Sequence, residues 1–433
     1  MKNQILILGA GLSGLSAAWH LKGKNYQLIE KESEVGGVCR SYKVGGFTFD
    51  YTGHLLHFRK PEIKSWVEGL LGEENLVSHN RRAFIYSQGG FTDYPFQANL
   101  HGLPKDVVKE CLLGFIKAFY DGDAASPPGN FEEWIYRTLG DGIARHFMIP
   151  FNEKLWNRSL KQITAEWTGM LVPRPKLEEV INGALGLTNQ GMGYNASFLY
   201  PREGGIMTLA KKIAEQLKPV RLGEEVWEIH TLKREVVLKN GKIVPYGQLV
   251  SSLPLDVFIG KCTDLPNELQ ESVKRLEYIS VYAVNLGVNR PKVSDKHWIY
   301  FPEKEFPFYR LGLPSNLSPS MAPEGMSSLS VEVSALPEEA VDPVRLADKV
   351  KKGLHKSGIL SPYDSIIAED VRKIHHAYVI FNHDYLKTVP VLRHYLSQMG
   401  IHSIGRYGSW EHTSIEDALV QGKEIARHLT SSI

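Results

Sequence analysis

Three glycines, Gly9, Gly11 and Gly14, follow the apolar run 4–8 at the spacing of a pyrophosphate cradle. In such a turn the first glycine permits the tight bend, the second lets backbone approach a diphosphate, and the third lets the next helix pack on the strand. Residues 12–22, opening on Leu12 and Ser13, read as that helix, and its amino terminus then faces the phosphates. A second apolar run, 26–29, ends at Glu30, 21 residues beyond Gly9, where a carboxylate meets the ribose hydroxyls of an adenosine. A lone glycine motif is weak, but strand, turn, helix, strand and terminal acid in this order specify a dinucleotide site.

The following residues choose the nucleotide. Glu30-Lys31-Glu32-Ser33-Glu34-Val35-Gly36-Gly37 resembles the acidic strand end and glycine pair of the FAD-dependent amine oxidase and protoporphyrinogen oxidase superfamily. No second GxGxxG follows for a nicotinamide nucleotide, and Cys39 has no neighbouring cysteine with which to act as a disulfide reductase. FAD is therefore the expected cofactor.

The elements that must position these residues are those of a large globular chain. Its 433 residues suggest roughly three domains at about 150 residues each. Hydrophobic residues at 43% and charged residues at 23% exclude collagen-like, low-complexity and largely disordered classes. Fifty Lys and Arg against 48 Asp and Glu give no surplus for a general nucleic-acid binder. No apolar run reaches the roughly 18 residues of a spanning helix, so no membrane partner is expected. Segment 5–19 has the look of a leader, but its glycines and the His20 and Lys22 that follow make it the cradle instead. Three scattered cysteines and no Cys/His spacing for zinc predict a reducing cytoplasm and no metal.

Apolar residues at three- and four-residue spacing predict a helix over 106–121, and 131–148 and 176–187 also read as helical, giving an α-helical region over 98–195. Segment 235–244 reads as a hairpin about Asn240-Gly241, and 248–253 as a strand that rejoins the first sheet. Further strands are expected at 281–288, 298–301 and 328–333, forming a separate antiparallel sheet with a helix over 343–356 upon it. A glycine loop at 405–409 precedes a helix over 414–431 whose amino terminus suits the pyrimidine end of a flavin.

Beyond the superfamily, an ordered series of segments resembles the UDP-galactopyranose mutase family, the eukaryotic type more than the bacterial. The segments are Thr52-Gly53-His54, Tyr94-Pro95-Phe96-Gln97, Pro150-Phe151-Asn152 with Trp156, Tyr194-Asn195, Trp298-Ile299-Tyr300 with Arg310, Asp384-Tyr385, and Gly405-Arg406-Tyr407-Gly408. The resemblance implies a Rossmann-like α/β FAD-binding domain (1–76, 199–257 and 395–433) with an inserted α-helical domain (98–198) and an antiparallel sheet domain (77–97 and 258–394). It implies FAD contacts at Gly9, Gly11, Leu12, Ser13, Gly14, Glu30, Lys31, Gly36, Gly37, Gly53, His54, Val226, Gly405, Arg406, Ser414 and Ile415.

For the substrate it implies that Tyr94, Phe96 and Gln97 hold uracil. Asn152, Trp156 and Asn195 shape the sugar pocket, and Tyr300, Arg310 and Tyr385 hold the diphosphate. His54 and Arg310 are the implied catalytic pair. Taken singly, Tyr94, Phe96, Trp156 and Tyr300 also suit a plain hydrophobic core.

The implied reaction interconverts pyranose and furanose forms of a UDP-sugar. The N5 of reduced flavin attacks the anomeric carbon as the diphosphate leaves, and a flavin-linked sugar reopens and recloses. An external reductant, NAD(P)H or another, keeps the flavin reduced. The alternative is an amine oxidase or protoporphyrinogen oxidase type of oxidoreductase, and the sugar and oligomeric state stay open.

The chain departs from the family at the diphosphate. A family arginine falls on Leu171, two tyrosines on Leu317 and His412, and an asparagine on Glu416. Arg174 and a protonated His412 are the expected replacements.

Overall fold

A computed structural model describes residues 4–121, 127–187 and 196–431 of the chain. The nucleotide-motif strand Ile5–Leu8 lies inside a four-stranded parallel sheet, between Tyr26–Ile29 and Gln248–Ser251, with Ile401–Ser403 at the far edge. Every residue of Ile5–Leu8 is buried, as a strand covered on both faces requires. The helix Leu12–His20 packs against the C-terminal helix Ile415–Ser431. Their approach is close enough that a Cβ on Gly422 would meet the Ser13 carbonyl at 2.5 Å. Segments from the start, middle and end of the chain thus build one layer.

The second large layer is a seven-stranded sheet in the order Ile366–Ile380, Glu277–Val288, Ser327–Ala335, Arg310–Gly312, Trp298–Tyr300, Ala83–Ser87, Gly90–Asp93. It departs from the expected antiparallel sheet at one place, because Trp298–Tyr300 runs parallel to Ala83–Ser87. The helix Pro343–Lys356 covers one face and has the predicted bounds, with Pro343 in its first turn and the Asp342 side chain accepting from the amides of Val344 and Arg345.

Helices Lys105–Asp121, Phe131–Ile143, Ile149–Trp156 and Leu177–Leu185 surround a core of Phe96, Phe115, Phe131, Trp134, Phe147 and Trp156. The helix predicted over 131–148 is broken, since Gly140 takes φ +76° and a π-helical turn, Ala144–Met148, follows. A Cβ on Gly140 would lie 2.1 Å from the Gly114 carbonyl, so the close crossing of two helices sets that break. The hairpin about Asn240-Gly241 forms as read, with Glu235–Leu238 pairing antiparallel with Ile243–Pro245. The predicted loop at 405–409 is instead a short helical turn, Gly405–Gly408. Among the described residues no helix is long and apolar enough to cross a membrane.

Candidate active site

The nucleotide end is made of two glycine turns in contact. Gly9 takes φ +93° directly after its strand, and a Cβ on Gly14 would lie 2.0 Å from the Gly9 carbonyl, so neither position admits a side chain without movement. Gly36 donates its amide to the Ala10 carbonyl at 2.8 Å, and Gly37 packs on Gly11, where an added Cβ would meet the Gly11 Cα at 3.2 Å. Gly11 precedes Leu12–His20 without any side-chain cap, so the first amides of that helix, at Leu12, Ser13 and Gly14, keep their donors for a ligand. The buried Glu30 carboxylate is fixed by the amides of Ala10 at 2.7 Å and Glu32 at 2.9 Å. Its remaining lone pairs suit ribose hydroxyls.

Other residues expected here divide into two groups. Gly405, at φ +82°, abuts Ser13, whose Oγ would lie 2.7 Å from an added Cβ, so the C-terminal turn closes on the cradle. Ser414 caps its helix through Asp417, Ile415 and Val226 are buried, and Lys31 is exposed beside Glu32. Glu416, where the family pattern has an asparagine, is buried at the start of the same helix and accepts from the backbone amides of Arg59 and Lys60 and from the Arg59 side chain. It ties the 55–60 segment to the C-terminal helix. A group of FAD's chemistry fits these residues: a side-chain-free cradle, open helix amides and a placed carboxylate.

The Gly53-His54 loop lies where this half of the site meets the sheet. A Cβ on Gly53 would stand 3.8 Å from Nη2 of Arg310. Nδ1 of His54 lies 3.0 Å from the Thr52 carbonyl. Burial pushes the His54 ring down to about 4, the Thr52 carbonyl opposes this, and the Arg406 and Arg310 charges add to it. His54 is therefore neutral at pH 7, with Nδ1–H donating and Nε2 free to accept.

Arg310 sits in register with Tyr300 on one side and Glu332 on the other. Its Nη2 donates to Oε1 of the buried Glu332 at 2.5 Å, and the other Glu332 oxygen accepts from the Tyr309 hydroxyl. Burial opposes the guanidinium charge, but Glu332 and the hydroxyls of Tyr378, Tyr309 and Tyr300 outweigh it and keep Arg310 protonated. From strand Ile366–Ile380 it is Tyr378, rather than the expected Tyr385, that stands beside Arg310. Tyr385 starts the next helix and packs edge-on against Phe381 at 4.6 Å, with Glu411 and Arg393 as its charged neighbours.

A cluster of aromatic rings packs against Tyr378. Trp156 stacks on His412 at 5.4 Å and meets Trp167 edge-on at 5.4 Å. Among the described residues, both buried indole N–H groups lack a hydrogen-bond partner, which leaves two donors for a ligand. The expected protonated His412 is not found. Its Nε2 is held by the Val379 carbonyl at 2.9 Å, and burial pushes the ring down to about 3. Arg174, the other expected replacement, lies over the Trp134 ring at 5.0 Å.

Tyr94, joined to Pro95 by a cis peptide, packs against Tyr300 at 5.3 Å, with the Arg81 guanidinium over its ring at 4.9 Å. Phe96 has no exposed surface and stacks on Phe147 at 5.0 Å, so it belongs to the core where a uracil-stacking face was expected. Buried Gln97 donates to the Pro173 carbonyl at 2.7 Å and Asn152 to the Met148 carbonyl at 2.8 Å, each leaving its amide oxygen. Asn195 lies outside the described residues.

Glu332, Tyr309 and Tyr378 are not singled out by the sequence, whereas Trp167 aligns with Trp156 on the two tryptophans of the mutase pattern. A lone carboxylate in the otherwise apolar and small run 327–335 was the available signal for Glu332.

These features define a flavoenzyme in which a buried, carboxylate-held arginine lies between the glycine cradle and a cluster of aromatic rings. The family model of flavin containing amine oxidoreductases matches residues 12–430, and the chain belongs to that family. Over its full length it is similar to a solved structure of reduced UDP-galactopyranose mutase, with 28% identity, a TM-score of 0.95 and 95% of that chain covered. It is 22% identical to 4,4'-diapolycopene oxygenase of Methylomonas sp. over 85% of this chain and 84% of that protein. It is 23% identical to dTDP-fucopyranose mutase of Escherichia coli over 38% of this chain and 44% of that protein.

Proposed function

We propose that this protein is an FAD-dependent isomerase that interconverts the pyranose and furanose forms of a sugar carried on a nucleoside diphosphate, UDP in our reading. The observation that carries it is the arginine and tyrosine pair, Arg310 and Tyr300, held in register at a cleft where Gly53 adjoins the guanidinium. The whole-length likeness to a UDP-galactopyranose mutase supports the same reading.

Reduced FAD, held by the glycine cradle and Glu30, would supply the nucleophile for the anomeric carbon. The chain's own residues do the rest. Arg310, Tyr300 and Tyr378 bind the diphosphate and stabilise it as it leaves and returns. Glu332 and Tyr309 hold the guanidinium in orientation. Trp156 and Trp167 exclude water and offer indole donors to the sugar, with Asn152 beside them and Asn195 in the same role. Neutral His54 accepts at Nε2 and Gly53 gives close approach. Tyr94 and Gln97 receive the uracil.

We divide the chain as the resemblance implies: FAD binding by 1–76, 199–257 and 395–433, helical 98–198, and substrate sheet 77–97 with 258–394. Because ring interconversion consumes no electrons, an outside reductant of the NAD(P)H type must set the flavin's state. We read the setting as cytoplasmic and the product as a precursor for surface polysaccharide; three free, buried cysteines are compatible with a reducing compartment.

An oxidase reading draws on the likeness to diapolycopene oxygenase, but a buried guanidinium facing the cleft is poorly matched to a neutral polyene. Titration with UDP separates the two. A saturable change in the spectrum of the reduced flavin, abolished in Arg310→Ala, is expected; no response to UDP in the unaltered protein refutes the mutase reading.

A further inference from the structure

Lys154 lies on the helix Ile149–Trp156, two residues from Asn152 and two from Trp156, with its side chain directed at the backbone of Phe301. Its half-buried ammonium donates to three backbone carbonyls: Phe301 at 2.8 Å, Phe308 at 3.2 Å, and Glu303. All three belong to the loop 301–309, which joins the strand ending at Tyr300 to the strand beginning at Arg310. An ammonium has three donors and no acceptor, so three carbonyls satisfy it completely. Phe301, Phe306 and Phe308 anchor the same loop in the sheet-side core, and Phe151 from the Lys154 helix meets Tyr300 edge-on at 5.3 Å. Lys154 is thus a polar tie between the helix bearing the sugar-pocket residues and the loop bearing the diphosphate pair.

We propose that Lys154 is a positioning residue, a strap that fixes the distance and orientation of Tyr300 and Arg310 relative to Asn152 and Trp156. The assignment rests on the mutase reading only for what the strap positions; the strap itself is geometric. The charged groups around the ammonium are Glu153 on its own helix and Lys304, Glu303 and Glu305 on the loop, with Glu303 and Glu305 favouring its charge. Burial works in the opposite direction, toward about 7.

The test compares FAD-loaded Lys154→Met and Lys154→Arg with Lys304→Met, an exposed lysine of the same loop, by hydrogen–deuterium exchange, UDP titration and FAD content. Lys154→Met should exchange the 301–309 amides about tenfold faster and bind UDP about tenfold more weakly, with FAD content and exchange elsewhere unchanged. Lys154→Arg should recover part of both, and Lys304→Met should resemble the unaltered protein. Unchanged loop exchange in Lys154→Met, or acceleration spread evenly over the molecule, overturns the strap. If the unaltered protein ignores UDP, the mutase reading fails, while the exchange comparison still decides for or against the strap.

Discussion

Arg310 concentrates the electrostatic problem of this site. The chain is nearly neutral overall, so an anionic ligand has to be met by a few placed cations. With leucine at the mutase pattern's second arginine position, leucine and a neutral histidine at two tyrosine positions, and Arg174 on Trp134, the diphosphate falls in the proposed function chiefly to Arg310, Tyr300 and Tyr378. Charged hydrogen bonds are worth about 1.5–3 kcal/mol each. Arg310→Ala should therefore weaken UDP binding at least tenfold by calorimetry, with FAD retained. Arg310→Lys, which keeps a charge for Glu332 but not the planar fork, should fall between. An Arg310→Ala protein that binds UDP as tightly as the unaltered one would show that the cation lies elsewhere.

Single glycines carry the argument at the level of elements. Gly14→Ala places a Cβ on the Gly9 carbonyl, so the helix must move off its strand and the phosphate cradle opens. FAD content after purification should drop several-fold, read from the flavin absorbance against protein, whereas Gly260→Ala, with nothing within 4 Å of the added Cβ, should retain full loading.

These nucleotide elements were the most legible in the sequence, because glycine spacing, apolar runs and a terminal acid are local signals. His375-His376 reads as a strand-edge pair, but the 15-residue extent of Ile366–Ile380 does not show in the sequence, since Glu369, Asp370, Arg372 and Lys373 interrupt any apolar pattern, and Tyr378 is hidden with it. Glu332 could not be assigned to Arg310 without the register that pairs their strands. His412 could be placed in a motif, but its neutrality depends on burial and on the Arg406 charge, which together outweigh the Val379 carbonyl and which only the assembled layers supply.

On the scale of the whole molecule, packing three layers around one cleft places several histidines out of water. Burial holds His54, His297 and His402 near 4 and His412 near 3, against 6.5 in the unfolded chain. A lowered folded-state value means their contribution is fully present above pH 6.5 and is lost as pH falls toward 4. Asp50 works the other way, with burial raising it to about 6, but it is one group against four. Urea denaturation should show stability decreasing between pH 6.5 and 4.5 by up to about 1.4 kcal/mol per pH unit for each such histidine. Replacing His297 and His402 together by glutamine should flatten that slope. Constant stability across the window would mean these rings are solvated.

The central claim is that the cleft isomerises a nucleotide sugar, and product formation tests it most directly. Protein reduced with dithionite would be incubated without oxygen with UDP-galactose, UDP-glucose and their uronic acids, and the mixtures resolved by chromatography. A ring-contracted product from at least one of these sugars, formed only by reduced protein and lost in Arg310→Ala, is the predicted result. Recovery of every UDP-sugar unchanged would contradict the account.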